Sequence, residues 1–301
     1  LERYFKSKAP AKINLYLDVG KIRKDGYHEI TTIYQSIRLS DTLFFKVIKN
    51  GIEIECDNKD IPLNEDNLIY KSAKEFFNFT KIKKGIKVLI KKRIPAKGGL
   101  GGGSSDAAVT LFALNKIFKK NLTLNQLTAI GEKIGSDVPF FLYGGTALGY
   151  GKGEKIIPLK DFNRLYLIVG FPGKGISTRE AYKEIDRVLT GNISRLKIIE
   201  PVRKYLTGDF RKEDMFNRFE EVVKNSEILE YRDNLIKSGA EKVMLCGSGS
   251  TWFGIYSDRT KLKSAFERLS AQGNWAATST LKRREFLRFI TPTNVKKESI
   301  R

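Results

Sequence analysis

Glycine fills five of the six positions from Gly98 to Gly103. The surrounding run is Pro95, Ala96, Lys97, Gly98, Gly99, Leu100, Gly101, Gly102, Gly103, Ser104 and Ser105. It lies between an Ile- and Val-rich stretch (Ile86–Ile94) that reads as a strand and an apolar helical pattern from Asp106 to Phe118. Strand, glycine loop and helix start together suit a phosphate. Without Cβ atoms the backbone approaches an anion closely, and free N–H groups at the helix start point at it with the positive dipole end behind them. Ser104 or Ser105 can cap the helix, and a hydroxyl there can reach a phosphate or its metal ion. No Lys follows the glycines and no G-x-G-x-x-G spacing occurs, so neither common phosphate motif applies. A flexible linker is the plain alternative, but an apolar Leu100 at the centre and a strong helix at the end do not suit one.

Three other clusters carry residues able to do chemistry. The first joins Pro10-Ala-Lys12-Ile-Asn14-Leu to Asp25-Gly-Tyr27-His28-Glu29. The second is Gly135-Ser-Asp137-Val-Pro139-Phe-Phe, and the third is Leu245-Cys-Gly247-Ser248-Gly249-Ser250-Thr251. His28 is the only histidine, which excludes paired-histidine metal sites. Taken singly, Lys12 reads as a solvated edge-strand lysine, Asp137 as a turn or helix-end residue, and the third cluster as a tight strand–loop turn.

Elements must hold these clusters together. Alternation from Lys12 to Val19 and from Glu29 to Leu39 predicts two strands, and Leu43–Ile48 with Ile52–Cys56 a hairpin through Asn50-Gly51. Helical spacing follows over Asn67–Phe79 and Leu124–Ile134, and Phe140–Leu148 reads as a strand. Beyond a boundary near Pro158–Arg164, strands are expected at Leu165–Val169, Val243–Leu245, Thr251–Ile255 and Ala276–Leu281. Helices are expected at Ser177–Leu189, Ile193–Leu206, Asn217–Lys224, Ile228–Ser238 and Leu262–Leu269. Strands and helices mixed without regular β-α alternation indicate an α+β fold. The expected division is 1–160, 161–285 and a basic tail at 286–301.

Composition narrows the classes. The chain has 301 residues, 41% hydrophobic and 11% aromatic, which describes a folded protein with one large or two smaller cores. No apolar run approaches the ~18–20 residues of a membrane span. An early Glu and no apolar h-region near the start make the cytoplasm the expected compartment. Two cysteines, Cys56 and Cys246, far apart in sequence, argue for reduced thiols rather than a disulfide framework. The net charge of +21 fits a nucleic-acid partner, an acidic small substrate or simply solvated lysine faces. Lys81–Lys97 contains eight basic residues and no acid, yet no helix carries a dense basic stripe interleaved with aromatics.

Considered jointly and in order, the four clusters resemble the GHMP small-molecule kinases over about Ala9 to Thr251. Pro-Ala-Lys-Ile-Asn-Leu with Asp-Gly-Tyr-His-Glu is similar to the branch whose substrate is a CDP-linked methylerythritol of non-mevalonate isoprenoid synthesis. The resemblance implies an S5-like N-terminal domain, a ferredoxin-like C-terminal domain and an active site in the cleft between them. It implies ATP with Mg²⁺, a small-molecule alcohol as acceptor, and no membrane or nucleic-acid partner. Asp137 would accept the hydroxyl proton, and Lys12 would orient it and offset developing charge. Tyr27 would stack on the cytosine and His28 hydrogen-bond its edge, with Asn14 beside the substrate and Lys12. Thr178 and Tyr182 match a segment that carries a substrate-contacting Thr and a second aromatic, so Tyr182 would complete a sandwich on the base, although a Tyr on an apolar helix face is an equal reading. Gly247, Ser248 and Gly249 would lie near the substrate diphosphate or the ATP phosphates. Lys97 stands where relatives often carry a small residue, and either contacts phosphate or points to solvent. Other members of the family act on homoserine, mevalonate or sugars. A basic nucleic-acid-binding protein is the alternative from another class.

Overall fold

The structure, a computed structural model, describes residues 3–188 and 195–296. Two long strands, β1 (Arg3–Ile22) and β2 (His28–Ile48), pair antiparallel as the spine of the first sheet. There follow β3 (Ile52–Cys56), α1 (Leu68–Thr80), β4 (Gly85–Lys91), α2 (Gly102–Ile117), α3 (Leu124–Glu132), α4 (Phe140–Tyr143), β5 (Thr146–Gly151) and β6 (Lys155–Pro158). The rest comprises β7 (Tyr166–Phe171), α5 (Thr178–Val188), α6 (Arg195–Thr207), β8 (Phe216–Asn217), α7 (Ser226–Lys237), β9 (Lys242–Leu245), β10 (Trp252–Tyr256), α8 (Arg259–Leu269) and β11 (Asn274–Ser279). It ends in α9 (Arg283–Ile290) and β12 (Thr293–Lys296). The first sheet runs β12-β1-β2-β4-β3, with β5 and β6 continuing from β2 and β8 parallel to β1; the second runs β11-β7-β10-β9. The fold is α+β.

Alternation on the strands decides which faces are buried. Leu43, Phe45, Val88 and Ile90 of the first sheet meet Phe76 of α1 and Leu111 and Leu114 of α2, all buried. Each such side chain contributes about 1.5–3 kcal/mol through removal from water. A second cluster joins the sheets to each other: Ile13, Leu15 and Ile33 of the first pack with Leu167, Val169, Phe253 and Ile255 of the second.

Four expectations are corrected. The Asn50-Gly51 turn does not close a hairpin, because β4 inserts between β2 and β3 and pairs parallel with β3. Gly85 allows this, since a Cβ there would stand 2.3 Å from the backbone of Asn50 and Gly51. Phe140–Leu148 divides into α4 and the start of β5, because Gly144 and Gly145, both at positive φ, break the stretch. Residues 217–224 form no α-helix; Asn217 ends β8 and Arg218–Val222 is a 3₁₀ turn. The segment read as a tail forms α9 and β12 through Lys296, with Phe286 and Ile290 fully buried and β12 paired to β1; residues 297–301 lie outside the described part. Its apolar Phe286, Phe289 and Ile290 recur at helical spacing, a signal masked by the surrounding charge.

Candidate active site

Bulges aim the first functional side chains. The β1–β2 register shifts between Pro10 and Lys12 and again between Asn14 and Tyr16, and such irregularities redirect side chains out of the pleat. Lys12 and Asn14 both turn into one cavity, where Lys12 Nζ donates to Asn14 Oδ1 at 2.9 Å and Asn14 Nδ2 to Thr32 Oγ1 at 2.7 Å. The Lys12 backbone N–H donates to Leu100 O at 3.0 Å, fastening the strand to the glycine loop.

The loop behaves as its composition dictates. Gly101 is the N-cap of α2 at φ 70°, so α2 starts at Gly102, four residues before the predicted Asp106. No side chain caps this end. Ser104 lies in the first turn and lines the cavity, whereas Ser105 is buried and donates to Pro10 O at 2.6 Å. Neither serine is the expected cap, because glycine in the left-handed region already starts the helix and leaves its first N–H groups open to a ligand. Gly99 is required: a Cβ there would lie 1.8 Å from Cys246 O. Lys97 is exposed at φ 58°, on the cavity wall.

Asp137 sits in the turn between α3 and α4, anchored by Val138 and Phe140 in the core. It caps no helix; the N-cap of α4 is Pro139, without a side-chain bond. Its Oδ2 is 3.8 Å from Lys12 Nζ, and the side chain remains 32% exposed, open to a substrate. Its Oδ1 accepts a hydrogen bond from Tyr34 Oη at 3.0 Å.

At the other end, Tyr27 is largely exposed, with Lys152 Nζ 4.7 Å from its ring centre. His28 is buried: Nδ1 lies 3.0 Å from Gly20 O and Nε2 3.2 Å from Asp186 Oδ1. Tyr182 stacks on His28 (centroids 4.9 Å apart, 22° between planes) and meets Phe219 edge-on. Thr178 Oγ1 and Ser248 Oγ are 3.2 Å apart, joining the start of α5 to the 247–249 loop. One cavity of about 910 Å³ is lined by every candidate site residue except Ser105 and Gly249.

Several lining or supporting groups escaped the sequence. Asp60–Pro62 and Asp66–Leu68 line the cavity beside the glycine loop, and the only sequence signal there is the helix start at Asn67. Behind the loop, Lys92 Nζ bridges Asp41 Oδ2 (2.5 Å) and Asp106 Oδ2 (3.0 Å), and Asp41 Oδ1 accepts the Arg93 and Ile94 N–H groups. Burial pushes the Asp106 carboxyl up to about 8, against the pull of Lys92. Asn217 Nδ2 donates to both Leu245 O and Gly247 O, each at 2.8 Å, and Glu220 Oε1 accepts from Leu245 N, so this 3₁₀ turn supports the 247–249 loop.

Comparison with known proteins agrees with this arrangement. Residues 67–145 match the model of the GHMP kinases N terminal domain and residues 199–274 that of the GHMP kinases C terminal. The chain is 41% identical over 274 residues to the 4-diphosphocytidyl-2-C-methyl-D-erythritol kinase of Thermodesulfovibrio yellowstonii, covering 89% of this chain and 94% of that one. A crystal structure of 4-(cytidine 5'-diphospho)-2C-methyl-D-erythritol kinase superposes with a TM-score of 0.76 at 31% identity, over 91% of this chain and 98% of the other. A homoserine kinase from Cytophaga hutchinsonii shares the fold at 16% identity, with a TM-score of 0.71 over 97% of each chain.

Proposed function

The chain belongs to the GHMP kinases and, within them, to the 4-diphosphocytidyl-2-C-methyl-D-erythritol kinases, and on that footing we propose how its cavity performs the reaction. It is an ATP-dependent small-molecule kinase that phosphorylates the 2-hydroxyl of 4-diphosphocytidyl-2-C-methyl-D-erythritol, for isoprenoid precursor synthesis. The observation that carries the residue assignments is the Lys12 Nζ–Asp137 Oδ2 contact of 3.8 Å, in the same cavity as the open start of α2.

Phosphoryl transfer asks for alignment, charge neutralisation and a proton acceptor rather than covalent help. Asp137 takes the proton of the 2-hydroxyl as it attacks the γ-phosphate. Lys12 holds the carboxylate and offsets charge on the transferring group, and Asn14 in turn holds Lys12. The Gly98–Ser104 backbone receives the phosphates, and the Asp60–Leu68 stretch the nucleoside of ATP. Tyr27, His28 and Tyr182 hold the cytosine; Thr178, Gly247 and Ser248 face the substrate diphosphate, with Gly249 shaping that loop. Mg²⁺ fits this lining as an ion carried with the triphosphate. Among the described residues no group of three or more His, Cys, Asp or Glu forms a metal cage, and Mg²⁺ bound through phosphates, waters and one protein oxygen needs none. Ser104 is the residue that would hold it, and the ion would supply charge neutralisation. No helix among the described residues is long and apolar enough to cross a membrane. The proposed compartment is the cytoplasm, in keeping with two free cysteines.

ADP release measured with the CDP-linked alcohol, mevalonate and homoserine in parallel tests the substrate. Turnover is expected with the first alone; preference for either of the others overturns the assignment.

A further inference from the structure

Tyr34 is buried in the middle of β2, and the space around it is shaped for a tyrosine. A Cβ on Gly149 would stand 2.4 Å from its ring, and one on Gly153 would stand 2.7 Å from its hydroxyl. Phe140 packs on the ring at 4.7 Å between centroids. The hydroxyl so enclosed has one hydrogen-bond partner among the described residues, Asp137 Oδ1, at 3.0 Å. Lys12 Nζ lies 5.6 Å from the centre of the same ring and 3.8 Å from Asp137 Oδ2. The carboxylate is therefore held through both oxygens, by a cation on β1 and by a phenol on β2.

We propose that Tyr34 is a positioning residue of the kinase reaction, donating a hydrogen bond to Asp137 Oδ1 so that Oδ2 is turned to the substrate. The inference rests on Asp137 being the proton acceptor. A hydrogen bond to the charged form of an acid favours that form. Without the donor, Asp137 keeps only the longer contact with Lys12, and its oxygens are free to rotate. Burial and the adjacent Asp137 raise the Tyr34 phenol well above its ordinary value, so it remains a donor throughout the working pH range. The other ionisable groups acting on the Tyr34 phenol are Tyr182 of α5 and Glu154 of the β5–β6 turn. Reading β2 as plain alternation hides this role, because Tyr is also an ordinary core residue of a strand.

The test is the pH dependence of kcat/KM for Tyr34→Phe, with Asp137→Asn alongside. In Tyr34→Phe the acid limb is expected to move about one unit toward higher pH. Its kcat should fall roughly tenfold, the scale of losing one hydrogen bond to a charged group, with KM for ATP and for the CDP-linked alcohol unchanged. A structural role alone would lower thermal stability and leave the limb in place. An unmoved limb in Tyr34→Phe, with Asp137→Asn severely impaired, overturns the role of Tyr34 alone. Near wild-type turnover by Asp137→Asn overturns the base assignment, and this inference with it.

Discussion

At the scale of single residues, the two ends of the cavity should fail in different ways. Asp137→Asn retains shape and loses the proton acceptor, so kcat should fall by roughly 10²–10⁴ with substrate binding nearly intact. His28→Ala removes a contact made before as well as during the reaction, so its effect should appear in KM for the CDP-linked alcohol. Steady-state kinetics of both variants separates them, and equal damage in kcat and KM for both would mean a folding defect instead. The lone histidine and the Asp-x-Pro turn were legible as candidates from their neighbours in the sequence. Their partners were not. Asp186, which faces His28 Nε2, and Tyr34, which holds Asp137, lie many residues away, and no local pattern connects them.

Elements explain which structural expectations held. The glycine loop with its flanking strand and helix was readable because each part obeys local chemistry: β-branched residues before, glycines at positive φ within, an apolar helical face after. The β3–β4 pairing was not, since a strand inserted between two sequence neighbours depends on tertiary packing and not on the turn joining them. The helix expected over 217–224 fails for a related reason: buried Phe219 and Val222 mimic a helix face, while Asn217 is bound to carbonyls of a distant loop. Asn217→Ala should therefore strip two buried carbonyls of their donor, at about 1–3 kcal/mol for each left unsatisfied. We expect a lower denaturant midpoint together with a raised KM for the CDP-linked alcohol. An unchanged KM would mean that the 247–249 loop holds its shape without this support.

Across the whole molecule, stability should depend on pH through the group behind the glycine loop. Asp106 binds its proton more tightly in the folded state, with its value near 8, than in the unfolded chain, where a carboxyl titrates near 4. The favourable contribution is complete below about 4 and declines as pH rises, because the unfolded state releases a proton that the folded state keeps until about 8. Asp106→Asn, which mimics the protonated acid, should flatten that decline; melting temperatures of both forms from pH 5 to 9 check this, and parallel curves would refute it. The far end of the chain belongs to the same core. Phe286 fills a space against Gly144, where a Cβ would stand 2.0 Å from its ring, and Phe286→Ala should cost about 3–5 kcal/mol in chemical denaturation. The pairing of β12 with β1 also has a meaning in time. During synthesis β1 emerges first and β12 after every other strand of its sheet, so at roughly 5–20 residues per second the outer edge of β1 waits on the order of tens of seconds for its neighbour. Through that interval a nascent chain offers an open ladder of N–H and C=O groups to any other strand nearby. Lys6 and Lys8, placed on that strand, are the kind of charge that keeps such an edge from being taken by the wrong chain.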